Sequence, residues 1–296
     1  MEKKKTMGHL TALFTVLIWG TTFISTKVLL DDFQPVEILF FRFVMGYMAL
    51  FAAAPRWLKG PDWKQEVLFA AAGLCGVSLY YLLENIALTY TMTANVSVIV
   101  STAPFFTVIL DRLLVDRGQK LRANFLLGFA FAIGGIALIS FQGSGVEINP
   151  MGDLLSLLAA VIWACYSLLV RKIGTFGYPV LLATRRMFFY GILFMVPALS
   201  FFEFHLDFPR FANSIDLLNF LYLGLGASAV CFASWNYAVE MLGPVKTSVY
   251  IYLVPVITVI TSFLILGEKV TLMSGAGVAL VLAGLFISEY KKKKKE

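Results

Sequence analysis

The residues of this chain that could do chemistry are polar or aromatic side chains set in long apolar stretches. Trp19, Thr22, Phe23 and Thr26 are spaced i, i+3, i+4, i+7, which puts them on one helix face. Trp163, Tyr166 and Ser167 repeat that face later in the chain. An aromatic wall with a few hydroxyls suits a small-molecule cavity; plain helix packing is the other reading. Tyr80, Tyr81, Glu84 and Asn85 form a second group. Glu84 is a carboxylate about six residues, or roughly 9 Å, inside its stretch at 1.5 Å per residue. It could hold an amino or other cationic group, carry a coupling proton, or pair structurally with an arginine or hydroxyl.

Arg42, Arg185 and Arg186 lie about seven residues into their stretches, and arginine keeps its charge. Each must snorkel, pair or face a cavity. Arg42 and Arg186 are candidate charge partners, for the protein or for a substrate carboxylate. Asn95, Ser97 and Ser101, then Trp235 and Asn236, then Ser248, Tyr250 and Tyr252 complete the polar set. Of these, Asn95, Ser101, Trp235, Asn236 and Tyr250 join Trp19, Thr22, Phe23, Tyr81, Glu84, Asn85, Trp163 and Tyr166 as expected substrate-binding residues. Pro104 and Pro255 each remove a backbone donor, so they can hinge a helix or fix a static kink.

Other chemistries find little support. Cys75, Cys165 and Cys231 are far apart, so neither a disulfide framework nor a zinc site is expected. His9 and His205 are isolated, and no metal or cofactor motif occurs. A membrane enzyme would need a nucleophile with its base or paired aspartates, and none is found. A retinal-type sensor would need a lysine inside the last apolar stretch.

The elements that must position these groups are membrane helices. Hydrophobic residues make up 59% of the 296-residue chain and charged residues 14%, against about 25% charged in soluble domains. A spanning helix takes about 20 apolar residues. Stretches at 8–30, 35–54, 66–90, 94–115, 121–141, 151–171, 178–200, 215–240, 245–266 and 271–290 qualify. The first is too long for a signal peptide and lacks a small-residue cleavage site. Connections are short, and 201–214 is the one segment long enough for a surface element. With both termini inside, eighteen of the 24 basic residues fall on that side, among them Arg117, Lys120, Arg122 and the lysines at 291–295. Asp31, Asp32, Glu147, Glu203 and Asp207 fall outside, with Arg210 and Lys269 as basic exceptions. This bias predicts cytoplasmic ends. The net charge of +6 therefore reflects membrane anchoring and not a nucleic-acid partner.

The chain also repeats. Gly8, Ile18, Trp19, Lys27, Pro35 and Arg42 match Gly152, Ile162, Trp163, Arg171, Pro179 and Arg186 at an offset of 144. Asn85, Ser97, Pro104 and Thr107 match Asn236, Ser248, Pro255 and Thr258 at 151. Lys120, Gly128 and Gly135 match Lys269, Gly277 and Gly284 at 149. The expected halves are residues 1–143 and 144–296. Five helices per half is an odd number, so the second half enters the membrane from the other side. Inverted repeats of this kind mark secondary transporters with a site near the midplane. The expected fold is thus all-α, with ten transmembrane helices in a 5+5 inverted-topology repeat. Small residues at Gly128, Ala132 and Gly135 and at Gly275, Gly277 and Gly284 allow close helix approach, within one chain or in a homodimer.

Ile18-Trp19-Gly20-Thr21-Thr22-Phe23, its echo Ile162-Trp163-Ala164, Pro104, Pro255 and Gly267-Glu268-Lys269 resemble the EamA type of the drug/metabolite transporter superfamily over nearly the whole chain. The resemblance implies the same ten-helix fold and movement of small metabolites, often outward. One departure is Asp116-Arg117-Gly118, where many relatives carry a glutamate. The expected function is secondary transport across the cytoplasmic membrane by alternating access, exporting amino acids or related zwitterions. Export of amphipathic cations and a lipid flippase are the alternatives. Proton coupling through Glu84 is one option, and no nucleotide motif suggests ATP drive.

Overall fold

The computed structural model describes residues 2–114, 123–140, 150–201, 204–268 and 271–289. Arg117, Lys120, Arg122, Glu147, Glu203, Lys269, the Asp116-Arg117-Gly118 turn and the lysines at 291–295 lie outside the described residues. Among the described residues all regular structure is helical. This follows from composition, because in hydrocarbon only a helix or a closed barrel satisfies its own backbone groups.

Among the described residues, eight helices are long and apolar enough to cross a membrane. They are α1 (Glu2–Leu29), α2 (Pro35–Ala53), α3 (Trp63–Tyr90), α4 (Thr93–Leu114), α6 (Pro150–Gly174), α7 (Val180–Phe201), α8 (Ser214–Leu242) and α9 (Pro244–Leu266). Between and after them, α5 (Ala123–Ser140) and α10 (Leu272–Glu289) carry shorter apolar stretches, Ala123–Gly135 and Gly275–Gly284.

The ends of the helices follow local sequence. Pro35 starts α2 at a position where a missing N–H costs nothing. Asp62 caps α3 by accepting from the Gln65 amide at 2.8 Å. Gly243, at φ +83°, turns α8 directly into α9. The α2–α3 connection differs from expectation. Pro55 and the Gly60-Pro61 pair open an irregular α2–α3 link at 54–62, and the Asp62 cap starts α3 earlier than its apolar stretch. The α7–α8 connection carries a short 3₁₀ turn, Phe208–Ala212.

Four helices are irregular, in matched pairs. A π segment interrupts α3 at Leu74–Leu79 and α8 at Tyr222–Val230. The offset of 151 carries the first onto the end of the second. Helix α4 breaks at Ser101-Thr102, before Pro104, and α9 tightens to 3₁₀ over Val249–Leu253, before Pro255. The packing is paired too. Helix α1 packs on α8 and α9, and its mate α6 packs on α3 and α4. Likewise α2 packs on α8 and α7 on α3, while α2–α7, α4–α9 and α5–α10 are contacts between mates.

The α5–α10 contact is backbone against backbone. A Cβ on Gly135 would stand 2.6 Å from the Gly277 carbonyl oxygen, and one on Gly284 2.4 Å from that of Gly128. Gly275 meets nothing within 4 Å.

Candidate functional site

The centre of the bundle is built on the first repeat match. Trp19 of α1 and its mate Trp163 of α6 meet edge to face, 5.2 Å between ring centroids. Tyr80 packs on Trp163 at 4.8 Å, Trp235 on Trp19 at 5.1 Å, and Tyr166 on Trp163 at 5.0 Å. Phe232 packs 5.6 Å from Trp19, and the 151 offset makes it the mate of Tyr81. The π segments seat this cluster. Trp19 Nε1 donates to the Ala227 carbonyl in the α8 segment at 3.0 Å. The Tyr166 ring lies on Gly76 in the α3 segment, where a Cβ would come within 2.2 Å of it.

Beside the cluster is a cavity of about 30 Å³, room for about two waters. Trp19, Thr22 and Phe23 of α1 form one wall, and Tyr80, Tyr81 and Glu84 of α3 another. Trp163 of α6, Val100 of α4, and Ile251 and Val254 of α9 complete it. Both halves thus contribute. The Thr22 hydroxyl donates to the Trp19 carbonyl at 2.8 Å. Glu84 is 2% exposed, and its carboxyl interacts with the Tyr80 hydroxyl and with the charge of Arg42. Trp163 Nε1 is buried without a partner among the described residues.

The structure brings six of the thirteen expected substrate-binding residues onto this wall: Trp19, Thr22, Phe23, Tyr81, Glu84 and Trp163. Tyr166 and Trp235 stand one layer behind it. Asn236 accepts from the Tyr166 hydroxyl at 2.7 Å and donates to Thr184 Oγ1 at 2.9 Å. It lines a second small cavity between α6, α7 and α8, with Glu240.

The remaining four make local contacts. Asn85 donates to the Pro35 carbonyl at 3.0 Å, and Asn95 to Thr91 Oγ1 at 3.3 Å. Ser101 donates to the Val98 carbonyl at 2.5 Å, at the break of α4. The Tyr250 hydroxyl bonds His9 Nδ1 at 2.7 Å, while its neighbour Ile251 faces the cavity.

The repeat-matched arginines have different surroundings. Arg186 is paired with Glu66 through two bonds of 2.6 and 3.1 Å, and Tyr190 donates to the same carboxylate. Arg42 is fully buried and gives its Nε to Ser228 Oγ at 3.1 Å. Pro104 and Pro255 are buried where α4 and α9 leave regular geometry.

Charged ties close both ends of the bundle. At the α1–α2 end, the buried carboxylate of Glu37 accepts from Arg210 through two bonds of 3.0 Å and from the His205 amide at 2.8 Å. At the same end, Glu268 beyond α9 accepts from the Thr93 and Ala94 amides, capping α4. At the opposite end Arg171 pairs with Asp111 at 2.6 Å, and Arg185 bonds the Ala54 and Arg56 carbonyls.

The spacing of aromatic and polar residues marks the groove between repeats but not all of its wall. Tyr80 stands beside Tyr81 in that pattern. Val100, Ile251 and Val254 carry no signal, because an apolar residue on a cavity reads like one in a core.

The model of the EamA-like transporter family matches the chain twice, over residues 6–141 and 150–290. The chain belongs to the EamA-like transporter family. It is therefore a multi-pass membrane protein of a transporter family. Three relatives align with it over nearly their full lengths. An uncharacterised transporter of Archaeoglobus fulgidus is 28% identical over 96% of this chain and 98% of its own. A probable terminal-alkyne amino-acid exporter of Streptantibioticus cattleyicolor is 27% identical over 93% and 91%. A probable amino-acid metabolite efflux pump of Escherichia coli is 26% identical over 94% and 93%.

Proposed function

We propose that this EamA-like protein is a secondary transporter that exports amino acids or related zwitterions across the cytoplasmic membrane by alternating access. In this reading α5 and α10 also span, giving ten helices in two inverted halves with both termini in the cytoplasm. The observation that carries it is the cavity on the contact of Trp19 with its repeat mate Trp163. A site shared between matched halves can open to either side by exchange of their conformations. Paired inter-half contacts and matched irregular segments support that exchange.

The lining supports the substrate class. Glu84 offers a carboxylate to an ammonium group, aromatic rings surround it, and Trp163 Nε1 is a donor with no partner among the described residues. Two relatives named for amino-acid export point the same way. At about 30 Å³ the cavity must widen to admit a metabolite.

The test is counterflow in proteoliposomes. Radiolabelled amino acids should accumulate transiently against an excess of unlabelled substrate inside, since only a carrier shows trans-stimulation. Equal flux into proteoliposomes loaded with buffer alone would point to a channel. Counterflow with quaternary amines and none with amino acids would favour the second reading, a carrier of amphipathic cations, which the aromatic wall and Glu84 also suit.

A further inference from the structure

Arg42 holds a buried charge that meets no counter-ion among the described residues. The side chain is fully buried in α2. Its guanidinium carbon sits 4.3 Å from the Tyr81 ring centroid and 5.2 Å from that of Phe43. Nε bonds Ser228, and Nη1 and Nη2 have no hydrogen-bond partner among the described residues. Guanidinium cannot shed its proton, and an unpaired buried charge is costly.

The repeat sharpens the point. Arg186, the mate of Arg42, is met by Glu66. Carried across at the offset of 151, the position of Glu66 is Leu217. The carboxylate that the second-half arginine receives is missing for the first-half one. Glu84 acts on Arg42 electrostatically, but no ion pair joins them among the described residues. Its carboxyl faces the cavity instead. Tyr81 belongs to both surroundings, its ring under Arg42 and its side chain in the cavity wall.

The geometry points to Arg42 as the carboxylate-binding residue of the central site. The two Nη groups form a fork that fits a carboxylate through two parallel bonds. Displacing Tyr81 both widens the cavity and joins it to that fork. Arg42 and Glu84 then form opposite poles for an α-carboxylate and an α-ammonium group. This assignment rests on reading the cavity as a substrate site.

The test compares the proteinogenic amino acids with their carboxamides, as thermal shifts titrated on the purified full chain. At about pH 6, below the α-amine's pKa, the carboxamide keeps the ammonium group and side chain and loses the negative charge. Wild type should prefer a bound amino acid over its carboxamide by about tenfold or more, the worth of a charged hydrogen-bonded contact. In Arg42→Met that ratio should fall to near one while the carboxamide still binds. Arg42→Lys, which keeps the charge without the fork, should fall between, and carries the comparison if Arg42→Met does not fold. An unchanged ratio in the folded variants overturns the role of Arg42 and leaves the amino-acid reading standing. No shift with any amino acid, wild type included, overturns that reading and the assignment with it.

Discussion

Glu84 has a carboxylate on the central wall, 2% exposed and flanked by Tyr80 and Tyr81. A carboxylate at membrane depth is costly unless it serves binding or proton transfer. If it carries a coupling proton, transport by wild type varies with pH, and a Glu84→Gln variant that still transports loses that dependence. A functional Glu84→Gln carrier with the wild-type pH profile would rule out coupling through this residue. Gly76 offers a stability prediction. A Cβ there meets the Tyr166 ring at 2.2 Å, whereas one on Gly226 meets nothing closer than 3.8 Å. Gly76→Ala should destabilise by about 1–3 kcal/mol, as overpacking does, and Gly226→Ala should stay within about 0.5 kcal/mol. Thermal melts of the two variants check this, and equal melts would mean that Tyr166 relaxes freely. Glu84 is legible in sequence as a carboxylate in an apolar stretch, and Thr22 and Phe23 by their spacing from Trp19. Trp19 and Trp163 could be paired because their types recur at one offset. Tyr250 could not be placed, because a 3₁₀ segment turns each residue by a different angle from the assumed α-helix. Asn85 and Asn95 are types that also satisfy local backbone and hydroxyl groups, so their presence in an apolar stretch did not reveal which task they had.

The elements divide in the same way. Apolar stretches gave the eight long helices to within a few residues, because length and hydropathy are set by the bilayer itself. The π segments of α3 and α8 left no trace that a pattern reading could use, since one extra residue per turn alters no residue type. Prolines, by contrast, announced the breaks. Pro104 and Pro255 lie just beyond the Ser101-Thr102 turn and at the end of the 3₁₀ segment, and α4 and α9 pack on each other and on α6 and α1. If these matched breaks bend during the cycle, Pro104→Ala and Pro255→Ala restore a backbone donor and stiffen both helices. Exchange in proteoliposomes should slow by about tenfold, equivalent to ~1.4 kcal/mol of barrier, while the thermal shift given by a bound amino acid stays. Unchanged exchange would make both breaks static kinks.

At the scale of the molecule, the two ends are tied at once around a cavity too small for a metabolite. Arg210–Glu37 and the Glu268 cap hold the α1–α2 end, while Arg171–Asp111 and Arg186–Glu66 hold the other. Alternating access requires one set to release while the other stays. The Glu268 cap crosses between halves, from beyond α9 to the first amides of α4. At the offset of 149 that matches Lys120 with Lys269, its mate in the repeat is Gln119, beyond the described residues, where a neutral amide stands in place of the carboxylate. The carboxylate of this cap is not repeated in the first half, and removing one tie should bias the molecule in a definite direction. Loss of a helix cap is worth about 1 kcal/mol, which moves a two-state population about fivefold. Glu268→Ala should then expose the cavity at the α1–α2 end, and Arg171→Gln should expose it at the opposite end. A cysteine at Val100 on the cavity wall, in a chain with Cys75, Cys165 and Cys231 changed to alanine, reports this through a membrane-impermeant maleimide. In the proposed orientation, external reagent should label the Glu268→Ala form about fivefold faster than its parent and the Arg171→Gln form no faster. Equal rates in all three would reduce both ties to static supports, and the bias between states would have to be sought in the α2–α7 contact that lies between them.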